Sequence, residues 1–326
     1  MSLQQAYSDP TVDLTRFNQL VKQNELNPAI ADQLYTVLTT CEIVLLCDDS
    51  DSMSKPIAEE GTDPFAPKRS TRWGELKKLA ASIIDFVTAT NPAGLDIYFL
   101  NRPGLANVTS SAGLQNVFTT PPAGDTPLVG ALGKIYVDKA NVTGKNLLII
   151  VITDGEPTDG DPAIGSRRSL YYTLMNKQQN VHISFAECTD NADDMEYLDA
   201  WDGQIQNFDN TEDYREELNR IKLVQGQQFK FDFTDYVIKI LLATFVRWYF
   251  NLDQVKVTQT IAMPVSTTQF QPAQSVPFAQ PVQQAYQTTT VVQQVQPQYA
   301  NVANPAQQQQ YVNTNGGTKQ KKGCCW

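Results

Sequence analysis

The sequence predicts an α/β fold with a mostly parallel central sheet, and three observations support this prediction. Four short apolar runs alternate along the chain with longer stretches whose apolar residues recur at helical spacing. Apolar runs without polar alternation are typical of strands buried on both faces, as in parallel sheets. The chain of 326 residues is 41% hydrophobic and 18% charged, which is sufficient for a substantial folded core.

The predicted elements follow an N-terminal helical extension, residues 1–40. Strands are predicted at 42–47, 95–100, 147–153 and 181–188, and helices at 72–89, 126–140, 163–178, 195–201 and 234–252. The first of these helices has apolar residues on one side, which predicts that this side packs on the sheet. The residues on that side are Leu76, Leu79, Ala80, Ile83, Ile84 and Val87.

The composition changes abruptly after the predicted α/β domain, residues 41–253. Residues 254–326 are rich in Gln, Pro and Thr and contain no Asp, Glu or Arg. Such a segment has too little apolar surface to offset the entropy of ordering it, so we expect a disordered Gln/Pro-rich tail. Because the net charge is -10 and the four lysines of the tail contribute +4, the rest of the chain carries -14.

The charge and the rare residue types exclude several classes of function. An acidic body argues against nucleic acid as a partner. The single histidine, His182, lies inside a predicted strand, so a zinc site built on imidazoles or a Ser-His-Asp triad is not expected. Five cysteines without disulfide-framework spacing and an N-terminus without a secretory pattern predict a cytoplasmic protein.

Oxygen-bearing side chains follow the first predicted strand directly. Asp48, Ser50 and Ser52 alternate along the chain, so in an extended segment they project to the same side. Carboxylate and hydroxyl oxygens are the ligands that Mg²⁺ and Ca²⁺ accept in proteins. Taken alone, the same residue types are also common in a polar turn or a helix cap.

Two later segments place further oxygen atoms at the same kind of position. Thr126 comes at the start of a predicted helix, and Asp154 follows a predicted strand within a Thr-Asp-Gly sequence. Ligands of open parallel sheets bind at the carboxyl ends of the strands. The three segments together therefore point to a cation site more specifically than any one of them does.

The order and spacing of these segments resemble the von Willebrand factor type A (VWA) domain. Its metal-ion-dependent adhesion site uses Asp-x-Ser-x-Ser, a Thr before a helix and an Asp in a Thr-Asp-Gly turn. The resemblance covers residues 40–253. Within it, 94–101, Arg72-Trp73-x-Glu75 and 239–242 are similar to intracellular VWA proteins of fungi and other microbial eukaryotes. The resemblance implies a three-layer Rossmann-like fold.

The resemblance also implies a set of ligands and a function. By position, Ser50, Ser52 and Thr126 would supply hydroxyl ligands, while Asp48 and Asp154 would hold the ion directly or through water. The ion would be Mg²⁺, or alternatively Ca²⁺ or Mn²⁺, and an acidic side chain of a partner protein would complete its coordination. The implied function is a divalent-cation-dependent protein-binding module for adhesion or scaffolding, and not an enzyme.

The sequence departs from the family pattern in two places. Asp49 and Asp51 stand where the family commonly has glycine, so we expect a more acidic site that either prefers Ca²⁺ or has a weaker affinity for an acidic partner. Residues 54–71 form a long insertion before the first predicted helix. We hypothesise that one of its carboxylates caps the metal from within the chain. The candidates are Glu59, Glu60 and Asp63.

Two alternative functions remain open from the sequence. Asp49-x-Asp51 after an apolar strand is also typical of haloacid-dehalogenase-like phosphatases, with Asp49 as nucleophile and Asp51 as acid/base beside Mg²⁺. Asp193 and Asp194, after a later strand, would then mimic the second acidic pair of such an enzyme. The other alternative is a scaffold whose metal site is unused.

The chain ends in a lysine-rich segment followed by Cys324, Cys325 and Trp326. Positive charge together with an acyl or prenyl chain gives the two signals that stable membrane anchoring needs. A prenylation box requires its cysteine at the fourth position from the end, where this chain has Gly323. We expect lipidation of the cysteines at the cytoplasmic face of a membrane, with exposed thiols or a metal or redox pair as the alternative.

Overall fold

The computed structural model describes residues 2–9, 12–58, 69–142, 144–191 and 194–256. The strands are β1 (Cys41–Cys47), β2 (Pro56–Ala58), β3 (Arg69–Thr71), β4 (Leu95–Phe99), β5 (Leu105–Val108), β6 (Asn146–Thr153), β7 (Val181–Glu187) and β8 (Phe208–Thr211). The helices are α1 (Leu3–Ser8), α2 (Thr15–Gln23), α3 (Pro28–Thr40), α4 (Arg72–Thr88), α5 (Gln115–Phe118), α6 (Leu128–Asp138), α7 (Ser166–Met175), α8 (Glu196–Asp199), α9 (Tyr214–Gln225), α10 (Phe233–Leu242) and α11 (Arg247–Phe250).

Six strands form the central sheet in the order β5-β4-β1-β6-β7-β8. All neighbouring pairs are parallel except β4 and β5, which are antiparallel. This is the order of a doubly wound sheet. The chain first adds strands on one side of β1 and then adds the later strands on the other side, so the strand order reverses beside β1. Here the reversal lies between β1 and β6, and the predicted α/β class with a mostly parallel sheet is confirmed.

The side chains of β1 alternate between two cores, one on each face of the sheet. On one face, Ile43 and Leu45 pack with α4, α10 and the N-terminal helices α1, α2 and α3. On the other face, Val44 and Leu46 pack with α6 and α7. All four are buried. Because both faces are covered, the strand is apolar from Ile43 to Cys47, and the molecule has the three layers expected of a Rossmann-like fold.

The predicted strands agree with β1, β4, β6 and β7 to within one residue at each end. Strands β5 and β8 and helix α9 were not predicted from the sequence. In β8 the sequence is Phe-Asp-Asn-Thr and all four residues are buried, so the strand lacks the apolar run that revealed the others. Its polar residues are instead bonded to one another and to neighbours, as in the 2.8 Å hydrogen bond from the Thr211 hydroxyl to Asp209.

The prediction of one long helix at 234–252 is wrong, because the structure has two helices there, α10 and α11. Between them Val246 adopts an extended conformation with φ -118° and ψ 100°. The ring of Phe245 stacks on His182 of β7, with centroids 3.9 Å apart. This contact turns Phe245 toward the sheet at the break between the two helices, and it gives the single histidine a structural position.

The insertion at 54–71 contains an antiparallel pair, β2 and β3, in which Ile57 lies opposite Ser70. The hypothesised capping residues Glu59, Glu60 and Asp63 lie outside the described residues. The same is true of Asp193 and of the tail from residue 257 onward, including Cys324 and Cys325. Among the residues that the structure describes, no helix is both long and apolar enough to span a membrane.

Candidate metal centre

Three of the predicted ligands form one chain of hydrogen bonds. The hydroxyl oxygens of Ser50 and Ser52 are 3.0 Å apart, and the Ser52 hydroxyl donates to Oδ1 of Asp154 at 2.7 Å. The two serines follow β1 and Asp154 follows β6, so the chain crosses the sheet where its strand order reverses. This is the place where open α/β sheets bind ligands.

Asp48 lies beside this chain and is 1% exposed. Its Oδ1 accepts a hydrogen bond from the backbone of Ser50 at 2.8 Å, and its Oδ2 accepts one from the Thr153 hydroxyl at 2.6 Å. Burial raises the pKa of Asp48 to about 6, and the neighbouring charge of Asp154 acts in the same direction. A buried carboxylate in this situation favours a nearby cation.

Thr126 is buried and lies two residues before α6, which begins at Leu128 and not at Thr126 as expected. Its backbone N–H donates to the Thr158 hydroxyl at 3.0 Å. The preceding loop is held against the end of β1, because the N–H of Asp51 donates to the Gly124 carbonyl at 3.0 Å. Gly124 has φ +108°, and a Cβ atom there would lie 2.6 Å from Oδ1 of Asn101. Only glycine therefore brings this loop so close without strain.

Arg72, the first residue of α4, also contacts the candidate site. Its side chain is 5% exposed, and Nη1 lies 2.7 Å from Oδ2 of Asp154. Nη2 lies 3.1 Å from a carboxylate oxygen of Asp194. From the sequence, Arg72 stood out only through the family resemblance. Its position at the start of a predicted helix was the one further signal, and it does not reveal partners that are 82 and 122 positions away.

The two extra acidic residues at the site differ in their surroundings. Asp49 is fully buried, its Oδ1 accepts from the backbone of Asn101 at 2.8 Å, and its Oδ2 lies 2.6 Å from Nε of Arg102. Its charge is thus compensated within the protein. Asp51 is exposed. The expectation that both aspartates add negative charge to the site is therefore wrong for Asp49, whose charge Arg102 compensates.

A second group of carboxylates lies near β8, an edge strand of the sheet. Oxygen atoms of Glu212, Glu217 and Asp253 lie within 4.8 Å of one another. Nζ of Lys239, which is fully buried, lies 3.1 Å from Glu217 and 3.8 Å from Asp253. Burial raises the pKa of Glu217, and the Lys239 ammonium opposes that rise. Because Lys239 already supplies the cation, we interpret this group as a structural ion network.

Comparisons with known proteins give a partial structural likeness. No protein-family model matches the sequence, and no curated protein matches it. An aerotolerance-related membrane protein from Bacteroides fragilis has a TM-score of 0.29 and 15% identity over 45% of this chain and 67% of its own. A mutant of the PilB minor pilin from Streptococcus sanguinis has a TM-score of 0.38 and 11% identity over 53% and 57%. The manganese-loaded TRAP protein of Plasmodium vivax has a TM-score of 0.35 and 16% identity over 55% and 70%.

Proposed function

We propose that this chain is a divalent-cation-dependent protein-binding module of the intracellular VWA type. The observation that carries the proposal is the hydrogen-bond chain from Ser50 through Ser52 to Asp154. It joins hydroxyl and carboxylate oxygens of residues that follow the neighbouring strands β1 and β6, where the strand order of the sheet reverses. Asp48 adds a second buried carboxylate beside them.

The donor set fits a hard divalent cation. The proposed ligands are oxygen atoms of Asp48, Ser50, Ser52, Thr126 and Asp154, which suit Mg²⁺, Ca²⁺ or Mn²⁺. A bound ion would supply a positive centre that attracts a carboxylate of a partner protein. The residues of this chain hold that centre in place: Thr153 orients Asp48, and Arg72 orients Asp154.

The surroundings of Asp49 support binding rather than phosphatase chemistry. A nucleophilic aspartate must present an oxygen to its substrate. Both oxygens of Asp49 are engaged by Asn101 and Arg102, and the residue is fully buried. Incubation with a generic phosphomonoester and Mg²⁺ tests this part of the proposal. Turnover that Asp49→Asn abolishes would favour the enzyme instead.

The central experiment is a pull-down from native lysate with and without EDTA. We expect a group of partners that is lost on chelation and also lost from the Asp48→Ala variant. Asp85→Ala is the matched control, because Asp85 is an exposed aspartate of α4 away from the site. Partners that are retained in EDTA and by Asp48→Ala would favour a scaffold that does not use the metal.

We further propose that the tail tethers the module to the cytoplasmic face of a membrane. The support is the sequence of the last eight residues, with Lys319, Lys321 and Lys322 before Cys324 and Cys325. Mass spectrometry of the C-terminal peptide from native cells tests this proposal. We expect an acyl or prenyl mass on at least one cysteine, and bare or merely oxidised thiols would overturn it.

A further inference from the structure

Arg72 places a buried positive charge against the proposed metal ligands. Its guanidinium bonds to the Asp154 carboxylate at 2.7 Å, and the side chain is 5% exposed. Among the described residues, no other Lys or Arg forms an ion pair with Asp48 or Asp154. A charge so close to the site and so poorly solvated interacts strongly with any ion bound there.

The contacts of Asp154 divide its carboxylate between two roles. Oδ2 faces Arg72, whereas Oδ1 accepts the hydrogen bond from Ser52 and so lies on the side of the other proposed ligands. Arg72 thereby leaves one oxygen of Asp154 for an ion. Its positive charge also offsets part of the repulsion between the carboxylates of Asp48 and Asp154.

The net charge of the centre follows from these contacts. Asp48, Asp154 and Asp194 each contribute one negative charge, and Arg72, which pairs with both Asp154 and Asp194, contributes one positive charge. Asp49 and Arg102 cancel each other, and Asp51 is exposed to solvent, which screens its charge. A divalent ion added to the four residues leaves a neutral centre, whereas without Arg72 the ion and the three carboxylates would carry one negative charge.

We propose that Arg72 is a specificity-determining residue of the metal centre: its charge weakens ion binding and keeps the ion-loaded centre from carrying a net negative charge, so that the centre accepts an acidic ligand. This inference rests on the proposed metal site. It predicts a trade-off, in which removal of the arginine gives tighter binding of the ion and weaker binding of a carboxylate to that ion.

A purely structural role for Arg72 predicts a different result. Arg72 joins α4 to the end of β6 and to Asp194, which Asn191 also holds through a 2.8 Å hydrogen bond. If its only role were to fasten these segments, its replacement would disorder Asp154 and weaken metal binding. The sign of the change in metal affinity therefore separates the two roles.

The experiment measures binding of Mn²⁺ alone to the full-length chain, by the electron paramagnetic resonance signal of the free ion. We expect Arg72→Gln to bind Mn²⁺ about tenfold more tightly than the wild type, and Arg72→Lys, which keeps the charge, to bind it with nearly wild-type affinity. Lys139→Gln is the matched control. Lys139 pairs with Glu42 and Asp96, each at 2.8 Å, toward the amino ends of β1 and β4.

A second readout tests the acidic ligand. Acetate should tighten Mn²⁺ binding to the wild type, because a carboxylate and the ion then bind together, and it should do so less in Arg72→Gln. If Arg72→Gln is too unstable to purify, Asp194→Asn replaces it. This variant leaves Arg72 less neutralised, and we expect severalfold weaker Mn²⁺ binding. Asn191→Ala loosens Asp194 without changing the charge and should bind Mn²⁺ as the wild type does, whereas a purely structural role predicts weaker binding in both variants.

The outcomes separate the two proposals. A wild type that binds no Mn²⁺ would overturn the metal site itself. A wild type that binds Mn²⁺, with Arg72→Gln equal to it or weaker, would overturn only the role of Arg72. The same holds if Lys139→Gln tightens binding as much as Arg72→Gln does, because the effect would then be one of overall charge. If acetate does not change Mn²⁺ binding by the wild type, the part of the proposal that has the centre accept an acidic ligand is wrong.

Discussion

The hydroxyl of Ser52 donates a 2.7 Å hydrogen bond to Asp154, a residue 102 positions further along the chain. Ser52 follows β1 and Asp154 follows β6, and these two strands are neighbours in the sheet. The contact joins the two halves of the proposed metal centre. Each part of this arrangement can be tested by a change that leaves the rest in place.

Ser52→Ala removes a proposed hydroxyl ligand together with its hydrogen bond to Asp154. We expect Mn²⁺ affinity to fall about tenfold or more, and the free energy of unfolding without metal to fall by about 1 kcal/mol. Calorimetric titration and urea denaturation measure the two effects. In the control, Ser82→Ala, the lost hydroxyl bonds only within α4 to the carbonyl of Lys78, so Mn²⁺ affinity should not change. Equal affinity of Ser52→Ala and the wild type would contradict the proposed ligand set.

Gly124→Ala tests how closely the loop before Thr126 must approach β1. The new Cβ would lie 2.6 Å from Asn101 at a φ of +108°, so we expect a loss of about 1 to 3 kcal/mol in unfolding free energy. The displaced loop should also weaken Mn²⁺ binding. Gly113→Ala is the control, because no atom lies within 4 Å of its ideal Cβ. Similar urea midpoints for both variants would show that the close approach is unimportant.

Asp49→Asn tests whether this aspartate stabilises the fold instead of serving the metal. Loss of one partner leaves the Arg102 charge uncompensated, so we expect a destabilisation of about 3 kcal/mol with little change in Mn²⁺ affinity. Arg102→Met removes the positive charge, and with it the contacts of the guanidinium with the rings of Trp73 and Phe99. The double variant should lose clearly less stability than the sum of the single variants, because the two residues act as a pair. Additive losses would show that they do not.

Glu187→Gln tests the pH dependence of stability. Burial is the largest of the effects that raise the pKa of Glu187 from 4.5 to about 8; the carboxylates of Glu212 and Asp199 add to it, while Asn210 and Arg220 oppose it. Because the folded state then holds the proton more tightly than the unfolded state, Glu187 destabilises the fold progressively as pH rises from about 4.5 to about 8.

We therefore expect Glu187→Gln to gain stability relative to the wild type between pH 5.5 and pH 8.5, by about 1 to 3 kcal/mol. Urea denaturation at both pH values measures this difference. Glu196→Gln changes an exposed carboxylate of the neighbouring helix α8 and should show no such gain. A constant difference between Glu187→Gln and the wild type across this range would contradict the assigned pKa.

The elements with a continuous apolar pattern could be predicted from the sequence. Strands β1, β4, β6 and β7 were predicted to within one residue at each end because their side chains are buried on the sheet. Strand β8 was missed because Asp209, Asn210 and Thr211 are polar yet buried. Their burial depends on partners from other elements, such as Glu187, which accepts a 2.8 Å hydrogen bond from Asn210.

The break between α10 and α11 was not predicted for the same reason, because it also depends on contacts with another element. Local spacing favoured one continuous helix, and no proline or glycine marks residues 243–246. The stacking of Phe245 on His182 lies at that break, and the two rings are 63 positions apart in the sequence. Propensity is a weak prior that such tertiary contacts override.

The sequence by itself determined the α/β class, the mostly parallel sheet and a candidate set of oxygen ligands, because these depend on local periodicity and on the spacing of short motifs. Only the tertiary structure decided which charges meet. In the folded chain Asp49 pairs with Arg102, 53 positions away, and Asp154 pairs with Arg72, 82 positions away. Charges interact through space, so the electrostatic character of the centre depends on distances between atoms that no local pattern encodes.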